Sequence, residues 1–366
     1  MHSTVVTRSI AIIEAGQSPS GAYVACPLYP TYNYCWFRDG TFIAYAMDLW
    51  QKHESARRFY DWATAAVAAR ADAVERCLEN IAHGRPLNPG NLLHTRYTLD
   101  GQHSNEEWPN FQLDGFGTLL WGLRRHMQLA GMHTLPASWA GAISLLVRYL
   151  AALWNRPNYD CWEEFPDRIA VSTLATLHAG LDAISTALDT NEQDALLAAA
   201  TAAQIKSFTL EAGVWAGHLI KQVEGEDVVD ASLLWACVPF QEHGLLHPMD
   251  PLMQTTVTRI EKDLIGAGGG VHRYRTDTFY GGGEWMLLTA LLGEYQSIIG
   301  DAKSARSCLA YIEAHADEHG YLPEQDSTAP LYPSYVEGWV ERWGPVARPL
   351  LWSHAAYLSL NAQVGN

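Results

Sequence analysis

The pattern of apolar positions along the chain predicts an all-α protein. Apolar residues recur at helical spacing in segment after segment, and alternating runs of β-branched residues are almost absent. This spacing predicts about twelve helices, at residues 3–14, 39–53, 54–82, 113–130, 136–154, 172–189, 191–208, 230–242, 250–264, 284–299, 301–317 and 350–363.

Several of these helices have recognisable ends. Pro136 is expected in a first helical turn, Thr190 and Gln193 fit a capping box, and Asp301 should cap the helix that follows Gly300. No linker rich in Ser, Pro or charge divides the chain, so we expect residues 1–366 to form a single domain.

The connections between the predicted helices alternate between long and short. The long ones are rich in Trp, Tyr, Gly, Arg and carboxylates, and each is expected to lead into an inner helix. They are 31–38, 101–112, 155–171, 222–229, 271–283 and 318–349. In a ring of helical hairpins this alternation places every long connection at the same end. We therefore predict an (α/α)6 barrel of six inner and six outer helices, with a functional funnel at one mouth.

The charge balance excludes some partners. The chain has 24 Lys and Arg against 40 Asp and Glu, a formal net charge of −16, which would repel nucleic acids and anionic membranes. The amino-terminal segment is not typical of a signal peptide, because Arg8 interrupts its apolar stretch, and no run of about 20 apolar residues follows it. The six cysteines lack a CxxC pair, so we expect a reducing, cytoplasmic location.

Two carboxylate motifs suggest glycosidic bond hydrolysis, which needs a proton donor and a second carboxylate. Glu163 and Glu164 are adjacent in an aromatic loop, where neighbouring carboxylates raise each other's proton affinity; a solvated acidic loop is the alternative interpretation. Glu324 follows Pro323 in the last long connection, and Pro323 stiffens the backbone before it. Three further glutamates compete with Glu324 for the second role: Glu284, Glu337 and Glu341.

Three other segments supply candidate sugar-binding groups. Arg38 and Asp39 combine a fork of donors with an acceptor, although they also fit a local pair at a helix start. Trp108 opens a segment with a stacking ring and polar side chains. Arg273 and Arg275 precede a run of three glycines that permits close approach to a ligand. His315 and His319 fit an HxxEH zinc pattern, but they lie at a helix end, and we predict neither a metal site nor a cofactor.

Six motifs in this order resemble glycoside hydrolase family 15, which contains glucoamylases, glucodextranases and some trehalases: YNYCWFRDG, WPNFQLDG, DCWEE, HRYRTDTFYGGGEW, LPEQ and LLWSHAAYL. The resemblance implies that Glu163 is the general acid and Glu324 the general base. It also implies that polar groups bind the terminal sugar (Arg38, Asp39, Glu164 and Arg273) and that aromatic rings form the pocket walls (Tyr32, Trp108 and Trp162).

By this resemblance we expect an inverting exo-α-glucosidase that acts on small oligosaccharides of isomalto or malto type. Asn110 and the segment 165–168 depart from the fungal pattern on the leaving-group side, so the linkage preference of starch enzymes does not carry over. A trehalase of the same family and a catalytically silent carbohydrate-binding barrel remain alternatives, and the oligomeric state is not predicted.

Overall fold

The computed structural model describes residues 4–104, 106–187 and 190–365. Within these residues the chain forms thirteen α-helices: α1 (Thr4–Ala15), α2 (Phe37–Leu49), α3 (His53–Ala68), α4 (Ala71–Ala82), α5 (Asp114–Leu129), α6 (Ala137–Leu153), α7 (Val171–Ser185), α8 (Glu192–Ala212), α9 (Pro251–Leu264), α10 (Met286–Ile298), α11 (Ala302–Ala314), α12 (Val336–Trp343) and α13 (Leu351–Val364). A 3-10 segment, Ala231–Ala236, replaces an α-helix at one position.

Six segments form a closed inner ring. Each contacts the next in the order α2, α5, α7, Ala231–Ala236, α10 and α13, and α13 returns to α2. An outer layer packs on this ring, with α3 against α2, α8 against α7, α9 against Ala231–Ala236, and α11 against α10. Helices α1 and α6 complete the outer layer, so inner and outer segments alternate along the chain. The predicted (α/α)6 barrel is confirmed.

The inner helices are apolar on nearly all sides because neighbours surround them. Every residue from 37 to 48 in α2 is buried, and every residue from 351 to 360 in α13. Helices enclosed in this way lose the one-sided stripe that marks a surface helix. The core of the protein therefore lies within and around the inner ring.

Helices α5 and α7 approach each other closely at two glycines. A Cβ atom added to Gly117 would lie 2.6 Å from the Thr176 carbonyl oxygen, and one added to Gly180 would lie 2.1 Å from the Gly117 carbonyl oxygen. Only a residue without a side chain permits this backbone contact. The glycine pair thus sets the distance between two inner helices.

Two of the predicted helices are wrong in form. The segment 54–82 is two helices, because the chain turns at Ala69 and Arg70. After this turn α4 packs on α6, and local helix propensity does not reveal such a tertiary contact. The segment 230–242 is not an α-helix. It forms two 3-10 segments separated near Pro239, which has no N–H to continue a helix.

The predicted helix ends agree in part. Asp301 caps α11, where its Oδ1 accepts a hydrogen bond from the Ser304 amide at 3.1 Å. Pro136 occupies the N-cap of α6, directly before its first turn. The capping box at Thr190 is wrong, because the Asn191 side chain caps α8. Residues 188 and 189, the predicted end of another helix, lie outside the described residues.

Three short antiparallel ladders, which the periodicity does not predict, lie beside the helices. They pair β1 (Cys35–Trp36) with β2 (Arg96–Tyr97), β3 (Val214–Trp215) with β4 (His218–Leu219), and β5 (Glu284–Trp285) with β6 (Gln325–Asp326). Strands β1 and β5 lead directly into the inner helices α2 and α10. The β1–β2 and β5–β6 ladders therefore tie together connections that are far apart in sequence.

None of the helices within the described residues is long and apolar enough to cross a membrane. All six cysteines fall within these residues, and each is buried as a free thiol.

Candidate active site

A cavity of about 500 Å³ opens at the end of the barrel where the long connections meet. Five of the six long connections contribute to its wall, together with the first turns of two inner helices, α2 and α13. Residues 222–229, all of them described, do not line it, which differs from the prediction. A cavity of this size is typical of a small-molecule site.

All nine residues predicted for the site line this one cavity. They are Tyr32, Arg38, Asp39, Trp108, Trp162, Glu163, Glu164, Arg273 and Glu324. The barrel therefore brings together side chains that lie almost 300 residues apart in sequence.

Glu163 lies on a tight turn with left-handed backbone geometry, at φ 66°. Asp160 builds this turn, because its Oδ1 accepts hydrogen bonds from the Trp162 and Glu164 amides, each at 3.0 Å. Asp160 is itself buried, and its Oδ2 lies 3.3 Å from the Lys221 ammonium. Left-handed geometry is costly for a residue other than glycine and persists where the surroundings enforce it. The loop is therefore a rigid support and not the solvated acidic loop of the alternative interpretation.

The carboxyl of Glu163 is held by one of its two oxygens. Oε1 accepts hydrogen bonds from three N–H groups: Trp36 Nε1 at 2.8 Å, Trp108 Nε1 at 2.9 Å and Gln112 Nε2 at 3.1 Å. Three donors converging on Oε1 fix the plane of the carboxyl and leave Oε2 as the oxygen that is free to carry a proton.

Glu164 does not share the environment of Glu163, although the two residues are adjacent in sequence. Its Oε2 accepts a hydrogen bond from the Tyr274 hydroxyl, and its Oε1 lies 3.4 Å from Arg273 Nη2. The two adjacent carboxyls thus have different partners in the folded protein. Glu164 belongs instead to a separate network centred on Arg273.

Glu324 is a buried carboxyl of the site. Only 5% of the residue is exposed, and its Oε2 has no hydrogen-bond partner within the described residues. Burial raises the pKa of Glu324 to about 8; Arg273 and the hydrogen-bonded Tyr32 hydroxyl oppose this rise, and the negative charges of Asp39 and Glu163 add to it. In the ligand-free pocket the carboxyl therefore holds a proton at neutral pH.

The three competing glutamates do not line the cavity. Glu337 and Glu341 are exposed on α12. Glu284 is buried, but its two oxygens accept hydrogen bonds from the Gly268 and Gly270 amides, each at 2.8 Å. Glu284 thus holds a glycine-rich turn, and among these four glutamates Glu324 is the one placed to meet a ligand.

Arg38 and Asp39 start helix α2 at the floor of the cavity. Arg38 Nη1 donates to Gln112 Oε1 at 3.1 Å and to Asp114 Oδ2 at 2.9 Å. Burial lowers the pKa of Arg38, but Asp114 and Asp39 more than offset this effect and the net pKa is raised. Burial raises the pKa of Asp39 to about 6, against the lowering effect of Arg38.

Arg273 lies on the opposite wall among aromatic rings. Its guanidinium carbon is 5.2 Å from the Trp162 ring centre and 5.1 Å from that of Phe279. Both oxygens of Asp277 pair with it, Oδ2 at 2.7 Å from Nε. The group is thus a firmly held positive charge, and it lowers the pKa of Glu324.

Four buried polar atoms on cavity-lining residues have no hydrogen-bond partner within the described part of the chain. They are Arg38 Nε, Asp39 Oδ2, Trp285 Nε1 and Glu324 Oε2. Unpaired buried polar atoms are costly, and native proteins rarely keep them without a purpose. Arg38 Nε and Asp39 Oδ2 face each other at 3.4 Å as an ion pair, so Trp285 Nε1 and Glu324 Oε2 are the atoms left to meet the hydroxyl groups of a sugar, each of which both donates and accepts.

The three predicted aromatic walls also have polar contacts. The Tyr32 hydroxyl hydrogen-bonds Glu324, Trp108 donates to Glu163, and Trp162 Nε1 donates to Asp230 Oδ2 at 2.9 Å. Each ring thus presents an apolar face and orients a carboxylate with its polar edge.

Sequence reasoning missed several cavity residues. Trp285 and Trp352 lie inside the quoted motifs without a predicted role. Trp339, Arg342 and Trp343 lie on α12, in a segment that is predicted to be part of a connection. The eight-residue helix has its own apolar periodicity, which could have revealed it.

Comparison with known proteins gives consistent relationships. Residues 1–297 match the sequence model described as glycosyl hydrolases family 15. The isomaltose glucohydrolase of Kribbella flavida is 41% identical over 364 residues, which are 98% of this chain and 92% of that protein. A trehalase of Thermoplasma volcanium is 23% identical over 344 residues, 88% of this chain and 54% of that protein.

Solved structures show the same fold. A glycosidase variant in complex with glucose matches with a TM-score of 0.93 at 40% identity, covering 99% of this chain and 96% of that chain. A bacterial glucoamylase complexed with acarbose matches with a TM-score of 0.73 at 19% identity, covering 99% of this chain and 56% of that chain. At this lower identity the second match speaks for the helical barrel alone.

Proposed function

Because the chain belongs to glycoside hydrolase family 15, we propose that it is an inverting, exo-acting α-glucosidase in which Glu163 is the general acid and Glu324 the general base. The observation that carries this proposal is the one cavity lined by both carboxyls, where the Arg38–Asp39 ion pair also lies and where Trp285 Nε1 and Glu324 Oε2 have no partner within the described residues. Such a pocket binds one sugar ring by its hydroxyls while the two carboxyls act on the anomeric bond.

The hydrogen bonds of Glu163 suit a general acid. Since its Oε1 is occupied by three N–H donors, the proton to be transferred lies on Oε2. The fixed carboxyl plane then delivers that proton to the departing oxygen without a search over orientations. Trp36, Trp108 and Gln112 are thus orienting groups for the acid.

Glu324 must be ionised to take a proton from water. Burial stabilises its neutral form in the ligand-free pocket, but positive charge develops on the sugar ring in the oxocarbenium-like transition state. That charge and the nearby Arg273 guanidinium favour the ionised carboxylate of Glu324 in the transition state. The unpaired Oε2 of Glu324 is the acceptor for the attacking water.

The remaining predicted residues are proposed to bind the terminal sugar. Arg38, Asp39 and Arg273 supply charged hydrogen-bonding groups, and Glu164 adds an acceptor beside Arg273. The rings of Tyr32, Trp108 and Trp162 form the apolar walls. We propose that the pocket these groups line accepts a chain end and not an internal unit of a long polymer.

We propose an isomalto-type disaccharide or short oligosaccharide as the substrate, because the full-length relative of Kribbella flavida is an isomaltose glucohydrolase. Trehalose is the second candidate, favoured by the more distant similarity to a trehalase. A catalytically silent carbohydrate-binding barrel is the third reading, and the presence of both carboxyls in the cavity counts against it.

Glucose release from a disaccharide panel tests these proposals. The panel comprises isomaltose, maltose, trehalose, kojibiose and nigerose, with a long dextran for the exo mode. We expect the highest kcat/KM on isomaltose and free glucose as the first product from dextran. Highest activity on trehalose would select the second candidate, internal fragments from dextran would contradict the exo mode, and no release from any sugar would favour the silent barrel.

Proton NMR of the first product tests the stereochemistry. If Glu324 activates water on the face opposite the leaving group, β-glucose appears first and mutarotates later. An initial α-glucose signal would contradict inversion and make Glu324 a nucleophile that attacks carbon.

We further propose that residues 1–366 act as one catalytic domain and that the enzyme works in the cytoplasm, without nucleic-acid partners. The net charge of −16 supports the last point, and six free cysteines support a reducing location. Cell fractionation with an antibody against the enzyme tests the location, and recovery in an oxidising compartment would contradict it.

A further inference from the structure

Arg96 is a buried cation directly behind the proposed acid. It lies on the short strand β2, where it is the cross-strand partner of Trp36 on β1. The residue has no exposed surface. Buried arginines are rare unless they are paired, so the contacts of this guanidinium indicate what it does.

The guanidinium of Arg96 packs on three aromatic rings. Its central carbon lies 3.6 Å from the Trp108 ring centre, 4.1 Å from that of Tyr34 and 5.4 Å from that of Trp36. A planar guanidinium stacks on such rings and is attracted by their electron-rich faces. Two of these three rings, Trp36 and Trp108, donate their N–H groups to Glu163 Oε1.

Arg96 also joins the two connections that carry these indoles. Its Nη1 donates to the Thr31 carbonyl oxygen at 3.1 Å, in the connection that leads to Trp36. Its Nη2 donates to Glu106 Oε2 at 3.0 Å, in the connection that contains Trp108. One side chain therefore holds both backbone segments and both rings in a single arrangement.

We propose that Arg96 is a positioning residue for the general acid: through Trp36 and Trp108 it holds the two indole N–H groups on Glu163 Oε1. This inference rests on the proposed acid role of Glu163. Burial lowers the pKa of Arg96, and the negative charge of Glu163 opposes that effect, which places the two charges within electrostatic reach of each other. Without the guanidinium the indoles gain freedom, and the acid loses its fixed plane.

Lysine is not an adequate replacement for this arginine. An ammonium group can reach either Thr31 or Glu106, but it is neither planar nor forked, so it cannot hold both connections while it stacks on Trp108. The Arg96→Lys variant retains the charge and loses the geometry. It therefore separates an electrostatic effect of the cation from its positioning effect.

The test compares two substrates that differ in their need for an acid. With isomaltose the leaving group is the 6-hydroxyl oxygen of the second glucose, which must be protonated as the C1–O bond breaks. With α-glucosyl fluoride the leaving group is fluoride, which departs as a stable anion and needs little proton donation. The variants are Arg96→Met, Arg96→Lys and Glu163→Gln. Arg70→Met is the matched control, because Arg70 also stacks on a ring, that of Tyr97, and holds the nearby Gly101 carbonyl without touching either indole.

We expect Arg96→Met to lower kcat on isomaltose about tenfold or more, a part of the roughly 10²–10⁴-fold that general-acid assistance contributes. Its kcat on glucosyl fluoride should change little, because fluoride leaves without a proton, whereas any rise in KM should affect both substrates alike, since Trp108 is also a wall of the sugar pocket. Arg96→Lys should show the same selectivity, and Arg70→Met should behave like the wild type on both substrates.

An equal loss on both substrates, or no loss, in a folded Arg96→Met protein would overturn the inference. If Arg96→Met does not fold, the Arg96→Lys variant decides by the same comparison. Adding Arg96→Met to Glu163→Gln should lower kcat on isomaltose little further, and a fully additive loss would also overturn the inference.

If Glu163→Gln itself lacks substrate selectivity, the acid role in the proposed function fails. If Glu163→Gln is selective and Arg96→Met is not, only the positioning role fails.

Discussion

Two buried glutamates should make the enzyme less stable as the pH rises. Burial raises the pKa of Glu324 in the pocket, and that of Glu294 on α10, from an ordinary value of 4.5 to about 8. Glu294 is 2% exposed and accepts one hydrogen bond, from Gln363 Nε2 at 3.0 Å. We predict that Glu324→Gln and Glu294→Gln each raise the free energy of unfolding at neutral pH.

The magnitude follows from the two states of each carboxyl. Below pH 4.5 it is protonated in both the folded and the unfolded chain, so its contribution to stability is fully present. Between there and about pH 8 the folded chain keeps a proton that the unfolded chain has released, and stability falls by about 1.4 kcal/mol per pH unit for each group. Near pH 7 this is a loss of about 3 kcal/mol per group, which the neutral glutamine avoids.

Urea unfolding of the wild type and both variants at several pH values, from about 4.5 to 9, measures this effect. The difference between variant and wild type should grow with pH and level off above about pH 8. The pair also separates stability from activity. Glu294→Gln should keep its turnover, because Glu294 does not line the cavity, whereas Glu324→Gln should be stabilised but nearly inactive.

A difference in unfolding free energy that stays constant with pH would refute the reasoning, because it would mean that the folded protein does not hold these protons. Loss of activity in Glu294→Gln without loss of structure would place that residue in the catalytic machinery, contrary to the geometry.

Three further predictions concern the acid, its supporting loop and the barrel. Glu163→Gln and Glu324→Gln should each lower kcat on isomaltose by about 10²–10⁴-fold. If Glu324→Gln kept its kcat on glucosyl fluoride and Glu163→Gln lost it, the roles of the two residues would be reversed. Lys221→Met should cost about 3–5 kcal/mol in unfolding free energy, because it leaves the buried carboxylates of Asp160, in the acid loop, and Asp230 without their cation. Lys52→Met, which breaks an exposed pair, should cost under about 1 kcal/mol in the same urea titration. Gly180→Ala should lower the midpoint of thermal unfolding, since its Cβ would meet the α5 backbone at 2.1 Å, and an unchanged midpoint would show that the two helices can separate freely.

The sequence alone predicted the architecture, and the nine residues it proposed for the site all line one cavity. Helical periodicity is a local signal, and it survives in single segments because a helix satisfies its own backbone hydrogen bonds. The alternation of long and short connections then restricts the helices to a ring with one functional end. The motifs around Glu163 and Glu324 identify candidates because glycosidic chemistry needs paired carboxylates.

Only the tertiary structure decided how these residues interact. The turn at Arg70 and the 3-10 form of Ala231–Ala236 depend on packing against distant helices, which local propensity does not record. The sequence suggested mutual effects between Glu163 and Glu164, but folding turns Glu164 toward Arg273 and gives the raised pKa to Glu324. Hydrogen-bond partners and burial are properties of surfaces that meet only after the ring closes. For this reason the sequence determined which candidate groups are available to the pocket. The fold decided which of them are protonated, which are charged and which form hydrogen bonds with each other.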